Sequence, residues 1–367
     1  MHEFETEAQN LIEIIDLGEY EPDQTLLNGV QLLVQFKGFN RLERLNRQTS
    51  QILRGEAGSS TQRKVSDGAI IIFDRLSTDV SLDALAQIKR FDTQDSRGVA
   101  FHGENIYVGC IDAVKKIERE NWNLSDFPID TEWLAFIHSL AISPDQSKLL
   151  IVSSGFDRII ETDIQTGEVT REWCAWDHGY SESKGSKSHI VSDESKVTNR
   201  EGDYLVVKSA KDFGNKLGLP PNLRTAFPNS ACYIDDSHIM ATLFHHGLVK
   251  IDMDTGETTV IDQSLNHPHA AYFNDQRCFI TNTGSAEFIE YDQNLARKRI
   301  FQFKNISEVT EEALGREWLQ HVKPLGNGRY IATDSNRTSI FIIDEFQRTI
   351  RTIPFDKNWV IQETHVL

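Results

Sequence analysis

Apolar residues fall in short runs of strand length, separated by turn-forming residues. The runs begin with IIIFD at 70–74, NIYVG at 105–109, KLLIVSS at 148–154 and RIIETD at 158–163. They continue with YLVVKS at 204–209, GLVKID at 247–252, EFIEYD at 287–292, RYIATD at 329–334 and SIFIID at 339–344. All are rich in β-branched and aromatic residues and are bounded by Asp, Gly, Asn or Ser, the mark of β-strands. Helical periodicity is confined to residues 6–16, the SLDALAQI segment and residues 307–318. The pattern predicts an all-β chain.

Four segments repeat one another. They open at His138 (HSLAISPDQSKLLIVSSGFDRIIETD), Asn229 (NSACYIDDSHIMATLFHHGLVKID), His269 (HAAYFNDQRCFITNTGSAEFIEYD) and His321 (HVKPLGNGRYIATDSNRTSIFIID). In each, a polar residue opens an apolar strand, a second strand ends in small polar residues and a third ends in Asp. From opener to that Asp the chain runs 25, 23, 23 and 23 residues. A looser copy begins at Arg97, and a degenerate one covers roughly 27–90. Four-stranded antiparallel units of this length, repeated around an axis, are the blades of a β-propeller.

The interval from His138 to Asn229 is about twice the others. Either a blade hides around YLVVKS, giving seven, or residues 177–228 are an insertion, giving six. That stretch is polar and carries one good strand, so six blades with a lid-like insertion is the favoured reading and seven the alternative. The expected organisation is an N-terminal extension over 1–26 and one propeller domain over 27–367.

Composition narrows the function. The 367 residues carry 38 Lys and Arg against 55 Asp and Glu, a net charge of −17. That balance argues against nucleic acid and anionic membrane surfaces as partners. No apolar run is long enough to span a membrane, and the acidic start lacks a secretory signal, so a cytoplasmic protein is expected. Cys110, Cys174, Cys232 and Cys278 are far apart and read as buried, reduced thiols. No nucleotide-binding or Gly-rich phosphate motif is present, so no nucleotide cofactor is expected.

In a propeller the loop entering each inner strand and the loop between the second and third strands open on the same face, so their polar residues converge at one mouth of the channel. The entering positions are Arg97, His138, Asn229, His269 and His321, and the other loops supply His246, Asn282 and Asp334 among others. Three histidines at equivalent positions suit a divalent transition metal, Zn, Fe or Cu, with an open coordination site. The alternative is that His138, His269 and His321 cap inner strands by bonding backbone. Arg97 is a natural anchor for a carboxylate or phosphate, or else a partner for Asp95. Asp163, Asp252, Asp292 and Asp344, at the ends of third strands, read as turn formers. Trp173, Trp176 and Tyr180, around Asp177 and His178, either wall a pocket or fill a gap between blades.

These repeats resemble bacterial β-propellers of the arylsulfotransferase-like, NHL and SMP-30-like groups, over roughly residues 97–350. The resemblance implies an active site looking down the central channel, in a fold that hosts lactonases, lyases, cyclases and sulfotransferases. The calcium-binding Glu/Asn/Asn/Asp set of SMP-30-like lactonases is matched only at Asn229, which points away from calcium and toward a histidine-based site. The expectation is an enzyme of small-molecule metabolism or biosynthesis. It would act on a small anionic or aromatic substrate at the channel mouth, by metal- or histidine-assisted hydrolysis, elimination or cyclisation. The residues expected to act are Arg97, Asn229, His246, Asn282 and Asp334, with metal at His138, His269 and His321. The alternative is a non-catalytic scaffold or ligand-binding propeller.

Overall fold

In the computed structural model, which describes residues 12–43, 65–183, 185–197, 203–213, 217–306 and 318–367, six antiparallel sheets of at least four strands are arranged as a β-propeller. Blade 2 is built from Val99–His102, Asn105–Gly109, Val114–Glu118 and Asn123–Phe127. Blade 3 follows with Ile137–Ile142, Lys148–Ser153, Arg158–Asp163 and Val169–Cys174. Blade 4 comprises Pro228–Tyr233, His238–Leu243, Gly247–Asp252 and Thr258–Asp262. Blade 5 comprises His269–Asn274, Arg277–Asn282, Glu287–Tyr291 and Arg297–Gln302, and blade 6 Leu319–Gly326, Arg329–Asp334, Ser339–Asp344 and Thr349–Pro354.

Blade 1 joins the two ends of the chain. Leu32–Gly38, Asp67–Phe73 and Gln87–Gln94 supply three strands, and the C-terminal Val360–Val366 pairs antiparallel with Leu32–Gly38 as the innermost fourth. At the rim, Glu13–Asp16 adds a parallel strand to the outer edge of blade 5, and Glu21–Pro22 adds one to blade 6.

The apolar core is not one mass but six wedges, each shared by two adjacent blades. Phe279, Phe288 and Phe301 of blade 5 pack on Leu319, Val322 and Tyr330 of blade 6, and equivalent clusters fill the other five interfaces. Successive side chains of a strand point to opposite faces, and here both faces meet a neighbouring blade. This is why runs such as IIIFD and KLLIVSS are continuously apolar instead of alternating.

The seven-blade alternative fails at YLVVKS. Tyr204–Val206 pairs only with His189–Val191, in a two-stranded parallel ribbon, so no blade lies between blades 3 and 4. The insertion instead seats Ile190, Val207, Ala210 and Leu219 on Ala135, Phe156 and Trp176 of blade 3. Two of the expected helical segments are also corrected. Residues 13–16 are a strand, because sheet pairing with Arg299–Gln302 overrides the local period, and SLDALAQI holds a single 3-10 turn, Leu82–Ala84, before strand Gln87–Gln94 begins. Residues 6–11 and 307–317 lie outside the described residues.

The turn aspartates behave as the sequence predicts. Asp163 accepts the N–H groups of Gln165 and Thr166, and Asp252 those of Asp254 and Thr255. Asp292 and Asp344 do the same for their own turns. All four cysteines are buried and unpaired, and burial pushes the thiols of Cys110 and Cys232 up to about 12, so they are inert.

Candidate active site in the channel

The inner strands of the blades surround a cavity of about 300 Å³ that runs along the channel. Its lining includes His138, Asn229, His269, Tyr272, His321, Lys323, Glu363 and His365. No residue from 177–227 is among its lining residues.

Strand register decides which of these residues meet. Ala231, Ala271 and Val322 pair with Ala241, Ile280 and Ala332, equivalent positions of three second strands. Two residues earlier come Asn229, His269 and Gln320, the tier to which His138 also belongs. In blades 3, 4, 6 and 1 the residue at this tier (His138, Asn229, Gln320, Gln362) is bulged out of the ladder. A bulge re-aims its side chain, here toward the axis. His321 therefore lies one step further along the channel than the repeat spacing suggests, level with Ser139, Ser230 and Glu363.

The expected convergence of His138, His269 and His321 is corrected accordingly. Among the described residues, the one His/Cys/Asp/Glu group with donor atoms within 4.8 Å of one another is His321, Glu363 and His365. His138 and His269 pack against each other instead, ring centres 5.6 Å apart. His269 Nδ1 lies 3.0 Å from the His267 carbonyl and 2.9 Å from the Thr283 hydroxyl, which is the strand-capping role.

The deeper cluster is a connected chain of hydrogen bonds. The Lys323 ammonium donates to His365 Nδ1 at 3.1 Å, and an ammonium has only donors. The His365 proton therefore sits on Nε2, which donates to Glu363 Oε2 at 3.0 Å. The backbone N–H of Val99 also donates to that oxygen, at 3.2 Å. Beside it the Tyr272 hydroxyl bonds His321 Nε2, and His321 Nδ1 is buried with no hydrogen-bond partner among the described residues.

Burial sets the protonation states. Desolvation pushes the Glu363 carboxyl up to about 7, against a smaller opposing pull from Lys323. It drives His321 down to about 3 and His365 well below its ordinary value, with Lys323 adding repulsion to both. Desolvation also lowers Lys323, which Glu363 partly offsets. The site thus holds neutral imidazoles beside a carboxyl that exchanges its proton near neutrality.

The remaining sequence candidates stand outside the cavity. Arg97 is fully buried and gives Nε and Nη2 to Asp95, at 2.9 and 2.8 Å. His246 Nε2 bonds the Thr225 carbonyl and its ring packs on Tyr180. Asn282 accepts from the Asn266 N–H and donates to Glu287, and Asp334 accepts from the N–H groups of Trp318, Asn336 and Arg337, so both brace loops at the mouth. Trp173 and Trp176 fill the wedge beside blade 4 and the seat of the insertion, respectively. Asp177 accepts from the Ser192 hydroxyl.

Asp157 emerges as a structural keystone at the same mouth. It is fully buried and accepts from Thr225 N–H (2.8 Å), Phe227 N–H (2.6 Å) and the Trp176 indole (3.3 Å), tying the insertion to blades 3 and 4. Asp157→Ala strands those donors in a dry site and is expected to cost about 3 kcal/mol, read as a lower urea midpoint. An unchanged midpoint would show that the insertion contributes nothing to global stability.

Sequence reasoning missed Glu363, His365, Lys323 and Tyr272. The available signal was a bookkeeping gap, because 27–94 contains only three strands of its blade. The closing segment VIQETHV carries the same polar pattern as LQHVKP, with Gln362, Glu363 and His365 opposite Gln320, His321 and Lys323.

Neither a protein-family model nor a curated protein sequence matches this chain. Solved structures do. A chain of the nidogen/laminin complex aligns with a TM-score of 0.55 at 11% identity, over 92% of this chain and 97% of that one. A protein of unknown function from Bacteroides caccae aligns with a TM-score of 0.50 at 13% identity, over 92% and 99%. The β-propeller domain of Myceliophteria thermophila Cps50 (Swd1) aligns at 0.45 and 12%, over 82% and 88%. At these identities the likeness extends to the fold alone.

Proposed function

We propose that this propeller is an enzyme acting on a small anionic or aromatic molecule at the channel, by histidine- and carboxyl-assisted hydrolysis, elimination or cyclisation. The observation that carries the reading is the Lys323–His365–Glu363 chain beside the Tyr272–His321 pair in the lining of the channel cavity. Burying five ionisable groups together is costly, and a scaffold gains nothing from it. Glu363 is the proton donor and acceptor, with its carboxyl raised to about 7 by burial. His365 and Lys323 are positioning residues that hold it, and the open Nδ1 of His321 is the second group facing substrate.

A divalent Zn, Fe or Cu ion is the second reading, favoured by the proximity of the His321, Glu363 and His365 donor atoms. Two imidazoles and one carboxylate leave coordination positions open for substrate. In that case Lys323 must release its proton or its bond to His365.

The test is turnover of p-nitrophenyl acetate, dihydrocoumarin and p-nitrophenyl sulfate, with elemental analysis of the same tag-free protein. Glu363→Gln is expected to lower the rate at least a hundredfold and to remove an inflection near pH 7 in the rate profile. One equivalent of metal, lost in His365→Ala, would select the second reading. Absence of turnover on all three substrates, or equal rates in wild type and Glu363→Gln, overturns the proposal in favour of a scaffold.

A further inference from the structure

At the mouth, two buried guanidinium groups share one aromatic ring. Arg97 precedes the inner strand of blade 2, and Arg224 lies near the end of the insertion, just before the inner strand of blade 4. The Arg97 guanidinium carbon is 5.4 Å from the centre of the Phe136 ring, and that of Arg224 is 4.8 Å from the same centre and 5.0 Å from that of Phe227. Both arginines are at most 2% exposed.

Their donors are not used up. Arg97 gives two nitrogens to Asp95, but its Nη1 has no hydrogen-bond partner among the described residues. Arg224 gives Nε to the Leu219 carbonyl at 3.1 Å, and both its Nη1 and Nη2 are without partners. The nearby carboxylate of Asp157 is already taken by Thr225, Phe227 and Trp176. Burial holds Arg224 down at about 10, still charged at neutral pH; the Asp157 carboxylate pulls it back up, and Arg97 repels it by a smaller amount. A buried guanidinium with two idle nitrogens is among the more costly arrangements a fold can keep, unless an anion completes it.

We infer that Arg97 and Arg224 form an oxyanion-binding site at the channel mouth, walled by Phe136 and Phe227, that takes a carboxylate, sulfate or phosphate group. Guanidinium forks match the paired oxygens of such groups, and the phenyl rings suit an aromatic or apolar body attached to them. The site deepens the proposed function and rests on it for the identity of the ligand as substrate, while the binding itself is tested apart from turnover.

The experiment is calorimetric and thermal titration with sodium phosphate, sulfate and benzoate against chloride at constant ionic strength. The proteins compared are wild type, Arg224→Met, Arg224→Lys and His365→Ala. Wild type is expected to show saturable binding of at least one anion, weakened at least tenfold by Arg224→Met and by Arg224→Lys. His365→Ala binds as wild type does, so loss of turnover in that variant leaves the oxyanion site standing. Benzoate binding more tightly than phosphate identifies an aromatic carboxylate ligand, and the reverse identifies a phosphate or sulfate ester. In the absence of anion, Arg224→Met is expected to melt at or above the wild-type temperature, since it removes a buried guanidinium two of whose nitrogens make no hydrogen bond. A structural arginine would give the opposite. No saturable binding by wild type, or equal affinities in wild type and Arg224→Met, overturns the inference.

Discussion

Ending the chain at Trp359 is expected to abolish cooperative folding. Residues 360–366 are the innermost strand of blade 1 and the closure of the ring, paired antiparallel with Leu32–Gly38. Their removal takes Ile361 and the partly buried Val366 out of the wedge between blades 6 and 1, and buried aliphatic side chains are worth about 1.5–3 kcal/mol each. It also deletes a ladder whose hydrogen bonds contribute about 1 kcal/mol apiece. The total is on the order of 10 kcal/mol, comparable with the whole stability of an ordinary domain. The inner edge of blade 1 would then be exposed to pairing with other chains. Far-UV circular dichroism and size exclusion of the 1–359 chain read the outcome: an expanded or aggregated species without a urea transition. A cooperative transition within about half a molar of the full-length midpoint would show that the first three strands of blade 1 close the ring unaided.

The second large effect is acid sensitivity. Burial lowers His269 and His321 to about 3 and His365 well below its ordinary value, whereas each titrates near 6.5 in the unfolded chain. Between those values the unfolded state holds protons that the native state excludes, so stability is present above pH 6.5 and is lost as pH falls toward 3. Each such group contributes a slope of about 1.4 kcal/mol per pH unit in that window. Glu363 acts in the opposite direction between about 4.5 and 7, because its native state keeps the proton longer than its unfolded state. Three histidines against one carboxyl leave a net loss of about 2–3 kcal/mol per unit between pH 6.5 and 4.5. The protein should therefore lose stability steeply as pH falls from 6.5 toward 4.5. Urea midpoints from pH 7.5 to 4.5 give the slope, and His269→Asn should flatten it by one proton. A midpoint unchanged between pH 7 and 5 would mean that these histidines already carry charge in the folded state.

Much of the architecture was legible in the sequence because blades are local objects. A strand is set by its own β-branched run, a hairpin by the Asp, Gly and Asn between strands, and the repeat spacing by their sum, so blades 2–6 and the Asx turns at Asp163 and Asp252 follow from neighbouring residues. The apolar wedges followed too, since runs buried on both faces have to meet other sheets. The short parallel strand at Glu13–Asp16 was not legible, because its pairing with blade 5 is nearly three hundred residues away in sequence. A period read over so few residues has little weight against a sheet edge.

The site was only half legible. The repeats show by themselves that His138, Asn229, His269 and His321 reach the channel, and all four line its cavity. Tertiary structure decided which of them act together. The equal spacing aligns His321 with His138, but strand pairing puts Gln320 at the His138 tier and His321 one step along the axis, and one residue of register exchanges the neighbours of every side chain on a strand. Ring closure then brings the C-terminal strand beside blade 6, so Glu363 and His365 meet Lys323 and His321 across roughly forty residues of chain. The insertion folds back to set Arg224 on Phe136, over a ring contributed by a blade it does not belong to. Sequence determines elements because their causes lie within a few residues. It leaves the chemistry open because bulge register and the closing strand are fixed only when distant strands pair.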